Sequence, residues 1–161
     1  MITYPYSCPD IRDEDIQAVS DFLKSGAFLS QGPEIAAFEQ EICDQTGAKH
    51  AIVCNSGTAA LHLAYLALNA GPSRGLLTTP VTFLATANAA IMCDAPVRFA
   101  DVDRTTGNLT PDTIKQALQA NAGVAEAEPL AILAPVHLGG RPCDMPAIKA
   151  LADEHGLAVV E

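Results

Sequence analysis

The sequence predicts an α/β protein in which a mainly parallel sheet is covered by helices on both faces. Short continuous apolar runs alternate with helical segments along most of the chain, the pattern that a buried parallel sheet requires. The 161 residues, of which 49% are hydrophobic and 17% charged, can form one core of ordinary size. We therefore expect one domain with a doubly wound layer structure and right-handed crossover connections.

Two amphipathic helices are expected at the start of the chain. Apolar residues recur at helical spacing between Asp13 and Lys24, and the acids of the first turn are favoured there by the helix dipole. This helix ends at Gly26. Pro33 stands where a first helical position is expected, and the second helix ends at Gly47. Each helix has one apolar face, so both should lie on a surface.

Strands and helices alternate after the second helix. The predicted strands cover residues 51–54, 76–78, 97–100, 130–135 and 157–160. The predicted helices cover residues 59–68, 82–92, 111–120 and 145–155. Residues 122–129 form an acidic, loop-like stretch. Because the sequence stops on a strand with no helix after it, the sheet is expected to be truncated.

The composition argues against several classes of protein. Nine basic and 19 acidic residues give a net charge of −10, which opposes binding to nucleic acid or to anionic membranes. No segment approaches the roughly 20 apolar residues that span a bilayer, and the charged start of the chain is unlike a signal peptide. The five cysteines are scattered and form no CxxC pair, so neither a disulfide framework nor a metal site is expected. We expect a cytoplasmic protein.

The loops that follow the strands are the candidate ligand sites, because open α/β sheets bind ligands beyond the carboxyl ends of their strands. Asn55-Ser56-Gly57-Thr58 offers two hydroxyl groups and a glycine at a helix N-terminus, which suits a phosphate. Alternatively, Ser56 or Thr58 merely caps the helix. Four residues leave both interpretations open. Neither a Walker loop nor a dinucleotide fingerprint is present.

Three further positions admit a functional and a structural interpretation. Phe83 follows the next strand and either stacks on a ligand ring or packs in the core. Asp101 and Asp103 form either an acidic site or, more simply, the entry to a turn. His137 lies past a strand end, where it contacts a ligand or serves the structure alone.

Several motifs, taken in order, resemble the DegT-type sugar aminotransferases, which are fold-type I enzymes that use pyridoxal 5′-phosphate (PLP). The motifs are Asn55 to Leu63 (NSGTAALHL), Thr78 to Asn88 (TTPVTFLATAN), and Pro135 to Gly140 (PVHLGG) with Cys143-Asp144-Met145. Tyr6-Ser7 and Phe28 to Pro33 (FLSQGP) are similar to the opening of the family. The likeness covers essentially all 161 residues.

The resemblance implies roles for individual residues. Gly57 and Thr58 would hold the PLP phosphate, and Phe83 would stack on the pyridine ring. The sugar-nucleotide pocket would be lined by five residues: Tyr6, Ala27, Phe28, Leu29 and Ser30. The implied fold is the three-layer large domain of a fold-type I enzyme.

The resemblance also implies a reaction and partners. The family transfers an amino group, here expected from glutamate, to the keto carbon of a nucleotide-linked sugar. Tyr6 and Thr86-Ala87-Asn88 are most similar to the transaminases that aminate UDP-4-keto-6-deoxy-N-acetylhexosamines on the route to pseudaminic acid. Members are homodimers whose active sites include residues from both subunits.

Two residues of the family's machinery are expected beyond Glu161: an Asp that pairs with the pyridinium nitrogen, and the Schiff-base Lys. None of the four lysines in the sequence can be assigned that role, so residues 1–161 are expected to be the N-terminal part of the large domain and inactive alone. The rest of the large domain and the small domain would be absent. Two alternatives are a noncatalytic truncated remnant that binds a full-length partner, and a PLP-dependent sugar dehydratase relative in which His replaces the Lys.

Overall fold

The computed structural model of the chain describes residues 7–26, 28–123 and 129–161. The chain divides into two compact units, Met1–Val53 and Cys54–Glu161.

The first unit contains the two helices that the sequence predicts, α1 (Asp13–Lys24) and α2 (Pro33–Thr46). Asp15 closes the first turn of α1, because its Oδ2 accepts the Arg12 N–H at 2.9 Å. Gly47 ends α2 in the left-handed conformation, at φ 75°. No residue of either helix is buried, so the expected surface position of both is confirmed.

The second unit alternates strands with helices. Its helices are α3 (Gly57–Ala67), α4 (Ala85–Ile91), α5 (Pro111–Ala122) and α6 (Met145–Glu154), with a short 3₁₀ turn at Leu138–Gly140. Its strands are β1 (Gly75–Thr78), β2 (Val97–Phe99), β3 (Leu130–Leu133) and β4 (Ala158–Val159). They form a parallel sheet in the order β2-β1-β3-β4. The predicted parallel α/β class is confirmed.

The core lies on both faces of this sheet, since neighbouring residues of a strand point to opposite faces. Leu76 packs in a buried cluster with side chains of α3 and α4, whereas Leu77 packs in a second cluster with side chains of α5 and α6. Ile132 and Leu133 on β3 divide in the same way. The helices therefore cover both faces, as the continuous apolar strands predict.

The strand predicted at residues 51–54 is wrong. Within the described part of the chain this segment belongs to no ladder, and an extended apolar run becomes a strand only when another strand accepts its hydrogen bonds. The Val53 N–H instead donates to Glu39 Oε1 at 2.9 Å. Three helix ends differ from the prediction by two or three residues: α3 begins at Gly57 rather than residue 59, α4 begins at Ala85 rather than residue 82, and α5 continues to Ala122 rather than residue 120.

Candidate functional site

A cavity of about 560 Å³ opens in the second unit, where loops leave the carboxyl ends of the strands. Three segments that are distant in sequence form its wall. They are the N-terminal half of α3, the loop before α4 together with the first turn of α4, and the residues after β4. The lining residues are Gly57, Thr58, Ala60, Leu61, Ala64, Phe83, Ala85, Thr86, Val160 and Glu161.

The N-terminus of α3 presents backbone donors to this cavity. Ser56 is the N-cap, and its Oγ accepts the Ala59 N–H at 3.2 Å, which confirms the capping interpretation for this hydroxyl. Gly57 and Thr58 come earlier in the first turn, where N–H groups have no intrahelical acceptor. A Cβ built at Gly57 would meet no atom within 4 Å. The backbone here is open to an anion, and the dipole of α3 favours one.

Phe83 does not pack in the core. Its residue is 72% exposed and lies on the cavity wall, so the core interpretation is wrong. The loop that carries it is ordered by hydrogen bonds from its flanks. Thr79 Oγ1 accepts the Val81 N–H at 3.1 Å, and the Phe83 carbonyl accepts the Thr86 N–H at 3.1 Å. The ring is therefore presented at the cavity on a fixed backbone.

Tyr65 joins the helices that carry these two features. Its side chain is buried, and its hydroxyl donates to the Thr86 carbonyl of α4 at 3.1 Å. Burial, followed by the nearby Cys93, raises the pKa of Tyr65 to about 12. The last turn of α3 and the first turn of α4 are thus held together through one buried hydrogen bond.

His137 and Glu161 meet between the loop after β3 and the end of β4. His137 Nε2 lies 3.1 Å from Glu161 Oε2, and the Cys143 N–H donates to His137 Nδ1 at 3.1 Å. Burial raises the pKa of the Cys143 thiol. His137 therefore has a partner at each ring nitrogen. The partner of Nε2, Glu161, also lines the cavity.

Asn108 fixes the loop that carries His137. Asn108 is only 3% exposed, and both groups of its side-chain amide form hydrogen bonds. Nδ2 donates to the Arg141 carbonyl at 2.8 Å, and Oδ1 accepts the Leu138 N–H at 3.0 Å. A buried amide with both groups satisfied holds the two loops in one arrangement.

The acidic pair after β2 forms a turn, as the simpler interpretation predicts. Asp103 Oδ1 accepts the N–H groups of Thr105 and Thr106, at 3.1 and 2.9 Å. These bonds favour the charged form, and the Thr106 N–H is the main reason that the pKa of Asp103 lies below its ordinary value. Neither Asp103 nor Asp101 lines the cavity.

The residues predicted for the sugar-nucleotide pocket belong to the first unit. Phe28 and Leu29 line a second, largely apolar cavity of about 730 Å³ between α1 and α2, and Ser30 is exposed on the same loop. Tyr6 and Ala27 lie outside the described residues. The role of all five in substrate binding stays a prediction.

Glu161 is a charged cavity residue that sequence reasoning missed. It directly follows the last predicted strand, so the rule that ligands bind past strand ends could have identified it. Its pairing with His137 could not be read from the sequence, because it depends on the register of β3 against β4. Among the described residues, no group of three or more His, Cys, Asp or Glu side chains could hold a metal ion. Nor does any helix of the described ranges have the length and apolar character to cross a membrane.

The parallel sheet and the cavity at its carboxyl edge define an α/β protein with a candidate ligand site at the strand ends. Residues 9–161 match the model of the DegT/DnrJ/EryC1/StrS aminotransferase family. The chain belongs to this family.

Two relatives are similar to nearly the whole of this chain and are much longer than it. It is 44% identical over 157 residues to the spore coat polysaccharide biosynthesis protein SpsC of Bacillus subtilis, covering 98% of this chain and 38% of SpsC. It is similar in structure to the aminotransferase from Psychrobacter cryohalolentis, with a TM-score of 0.84, 36% identity, and 96% and 38% of the two chains covered. The chain thus spans about two fifths of the length of these relatives.

Two further solved structures bear on ligands. Helicobacter pylori PseC, described as an aminotransferase involved in the biosynthesis of pseudoaminic acid, matches with a TM-score of 0.82 and 28% identity over 97% of this chain and 40% of PseC. The sugar aminotransferase Spr1654 of Streptococcus pneumoniae, solved in a PLP form, matches with a TM-score of 0.83 and 26% identity over 96% and 37% of the two chains.

Proposed function

We propose that this chain is the cofactor-binding part of a PLP-dependent transaminase that acts on a nucleotide-linked 4-keto-6-deoxy sugar, with glutamate as the amino donor. The observation that carries the proposal is the cavity of the second unit, where Gly57, Thr58 and Phe83 lie together. A helix N-terminus for an anion and an exposed aromatic face in one cavity suit a phosphorylated ring compound.

The described residues suit both the phosphate group and the pyridine ring of PLP. The N–H groups of Gly57 and Thr58, with the Thr58 hydroxyl, would hold the phosphate, and the open space beside Gly57 leaves its backbone accessible. Phe83 would lie against the ring, and Val160 adds apolar surface to the same wall. When bound, the pyridine ring of PLP withdraws electrons from the substrate carbon. The residues of this chain bind and orient it.

The proposed substrate is a UDP-4-keto-6-deoxy-N-acetylhexosamine, and Tyr6, Ala27, Phe28, Leu29 and Ser30 would line its pocket. The similarity to Helicobacter pylori PseC supports this assignment. Phe28 and Leu29 are exposed apolar residues beside a cavity, which is compatible with contact to a ligand.

The attachment of the cofactor requires a residue that this cavity lacks. None of the four lysines of the sequence is among the residues that line it. We propose that residues 1–161 form the N-terminal part of the PLP-binding large domain, that the whole enzyme is a cytoplasmic homodimer, and that the 161-residue chain alone is inactive. The Schiff-base Lys and the Asp for the pyridinium nitrogen are then supplied by further polypeptide.

The test combines cofactor binding with turnover. The polypeptide as its cell makes it is incubated with PLP, glutamate and the UDP-linked keto sugar, and 2-oxoglutarate is measured, with the 161-residue chain assayed in parallel. We expect PLP binding and 2-oxoglutarate release from the first and no release from the second. If the cellular polypeptide binds no PLP, or binds it and forms no 2-oxoglutarate with any keto sugar of this class, the proposal is wrong.

Two alternatives predict other outcomes of the same assay. A noncatalytic remnant would form no product and would bind a full-length aminotransferase subunit instead; the exposed apolar residues of α1 and α2 would suit such a contact. A dehydratase relative would bind PLP and eliminate water from the sugar without forming 2-oxoglutarate.

A further inference from the structure

The pair formed by His137 and Glu161 lies beside the proposed cofactor contacts and has no role in them. Glu161 lines the cavity together with Thr58 and Phe83. The His137 side chain is 33% exposed and the Glu161 side chain 52% exposed, so both are partly withdrawn from solvent.

The backbone determines which nitrogen of His137 carries the proton. The Cys143 N–H donates to Nδ1, so Nδ1 must offer a lone pair. A neutral imidazole then has its proton on Nε2, and this proton points to the Glu161 carboxylate 3.1 Å away. The pair is a hydrogen bond from the ring to a charged acceptor, and such bonds are stronger than those between neutral groups.

Both partners are held by ordered backbone. The loop of His137 is fixed by the buried amide of Asn108, which bonds to Leu138 and Arg141. On the other side, the Val160 N–H donates to the Leu133 carbonyl at 3.0 Å and continues the β3-β4 ladder up to Glu161. The ring therefore meets the carboxylate in a preorganised position.

The position of the Glu161 carboxylate bears on the electrostatics of the cavity that it lines. The N-terminus of α3 favours anions, and Glu161 is itself an anion in the same cavity. A Glu161 side chain that was free to turn would compete with a ligand phosphate for the N–H groups of Gly57 and Thr58.

We propose that His137 is a positioning residue, which holds the Glu161 carboxylate away from the anion site at the N-terminus of α3 and so keeps that site available for phosphate. The inference rests on the proposed function, which supplies both the anion site at the N-terminus of α3 and the phosphate compound that binds there.

A set of variants tests this in the polypeptide as its cell makes it, with dissociation constants measured for PLP and for inorganic phosphate. His137→Asn keeps an acceptor near the Nδ1 position for the Cys143 N–H and loses the donor to Glu161. We expect it to weaken both ligands about fivefold, the scale of a half-exposed charged pair. His137→Gln, whose amide reaches the Nε2 position, should bind both like the wild type.

The decisive variant is the double one. If the freed carboxylate is the competitor, adding Glu161→Gln to His137→Asn should restore the lost affinity, because the competing charge is gone. A purely structural role of His137 would leave the double variant as weak as the single one, or weaker. Thermal midpoints of all variants, measured without ligand, report whether each is folded.

The outcomes separate the inference from the proposed function. Unchanged affinity in His137→Asn, or a loss that Glu161→Gln fails to reverse, overturns the inference. Phosphate binding with the expected pattern but no PLP binding would support the inference and refute the proposed cofactor. A wild type that binds neither compound refutes both.

Discussion

At the scale of single residues, the side chains around the cavity are of two kinds: some hydrogen bond to the backbone and order it, and others are open to a ligand. Ser56 is engaged as the cap of α3, and Thr79 holds the Val81 N–H. Thr58 and Phe83 instead lie on the cavity wall. Changes at the first kind of residue should therefore affect stability, and changes at the second kind should affect ligand binding.

Replacing Phe83 by Ala should weaken PLP binding without a matching loss of stability. Phe83 is 72% exposed, so removal of its ring should change the free energy of unfolding by less than about 0.5 kcal/mol. Stacking of aromatic rings contributes about 0.5–1.5 kcal/mol, so the dissociation constant should rise about two- to tenfold. Fluorescence titration with PLP measures this.

The matched control is Phe99→Ala, which removes an exposed Phe of β2 that does not line the cavity. Equal PLP affinity in Phe83→Ala and the wild type would rule out the stacking role.

Thr58→Ala and Ser56→Ala should separate ligand binding from helix capping. Loss of the Thr58 hydroxyl removes one hydrogen bond to a charged phosphate, worth about 1.5–3 kcal/mol, and should raise the PLP dissociation constant at least about tenfold. Loss of the Ser56 cap should lower the free energy of unfolding by about 1 kcal/mol. Both quantities are measured for both variants by titration and by urea unfolding.

Thr58→Ala should leave the urea midpoint within error of the wild type. A variant that instead loses stability and keeps its PLP affinity would assign Thr58 to the helix rather than to the phosphate.

At the scale of elements, α3 and α4 depend on the hydroxyl of Tyr65. Tyr65→Phe removes the hydroxyl that donates to the Thr86 carbonyl, and should cost about 1 kcal/mol of unfolding free energy near neutral pH. The folded pKa of about 12 lies above the ordinary 10.0, so the stabilisation linked to the neutral phenol is complete below pH 10 and lost as the pH rises towards 12.

Urea unfolding at neutral pH and at about pH 11.5 tests the sign of this effect. The wild type should lose more stability over that interval than Tyr65→Phe, which has no group to ionise at this position. A larger alkaline loss in the variant would contradict the assignment.

The helices and inner strands could be predicted from the sequence because their signals are local. Pro33 and Gly47 mark the two ends of α2 at the positions that the structure has. The prediction of a strand at 51–54 failed because an apolar run carries no information about whether a partner strand is present. Likewise, Gly57 and Thr58 could be proposed from a small-residue turn at the start of a helix, and Phe83 from its position after β1. The bond between His137 and Glu161 spans 24 positions and depends on sheet register.

At the scale of the whole molecule, the net negative charge should lower the stability of the fold. With nine basic and 19 acidic residues, the chain repels itself, and salt screens that repulsion. Raising sodium chloride from about 0.01 M to about 0.15 M, which shortens the Debye length from about 30 to about 8 Å, should raise the thermal midpoint. We expect about 2–4 °C, equivalent to about 1 kcal/mol.

Differential scanning fluorimetry across this range measures the effect. A midpoint that falls with salt would mean that favourable ion pairs outweigh the net repulsion. The ion pairs of the described residues that join basic side chains to carboxylates, such as Arg12 with Asp10, are largely exposed, and exposed pairs contribute little.

The buried amide of Asn108 has a consequence for how the length of the chain can vary. Surface loops ordinarily accept insertions and deletions, unless their backbone is buried or hydrogen bonded. Here the turn after β2 and the loop at 138–141 share one side chain, and the turn glycine, Gly107, lies so close to Leu138 that a Cβ would come within 2.6 Å of its Cδ2. One added residue in either segment would displace the Asn108 amide from its hydrogen-bond partners, the Leu138 N–H and the Arg141 carbonyl. Among relatives, these two segments should therefore keep constant lengths or change length together, although 30 residues of sequence separate them.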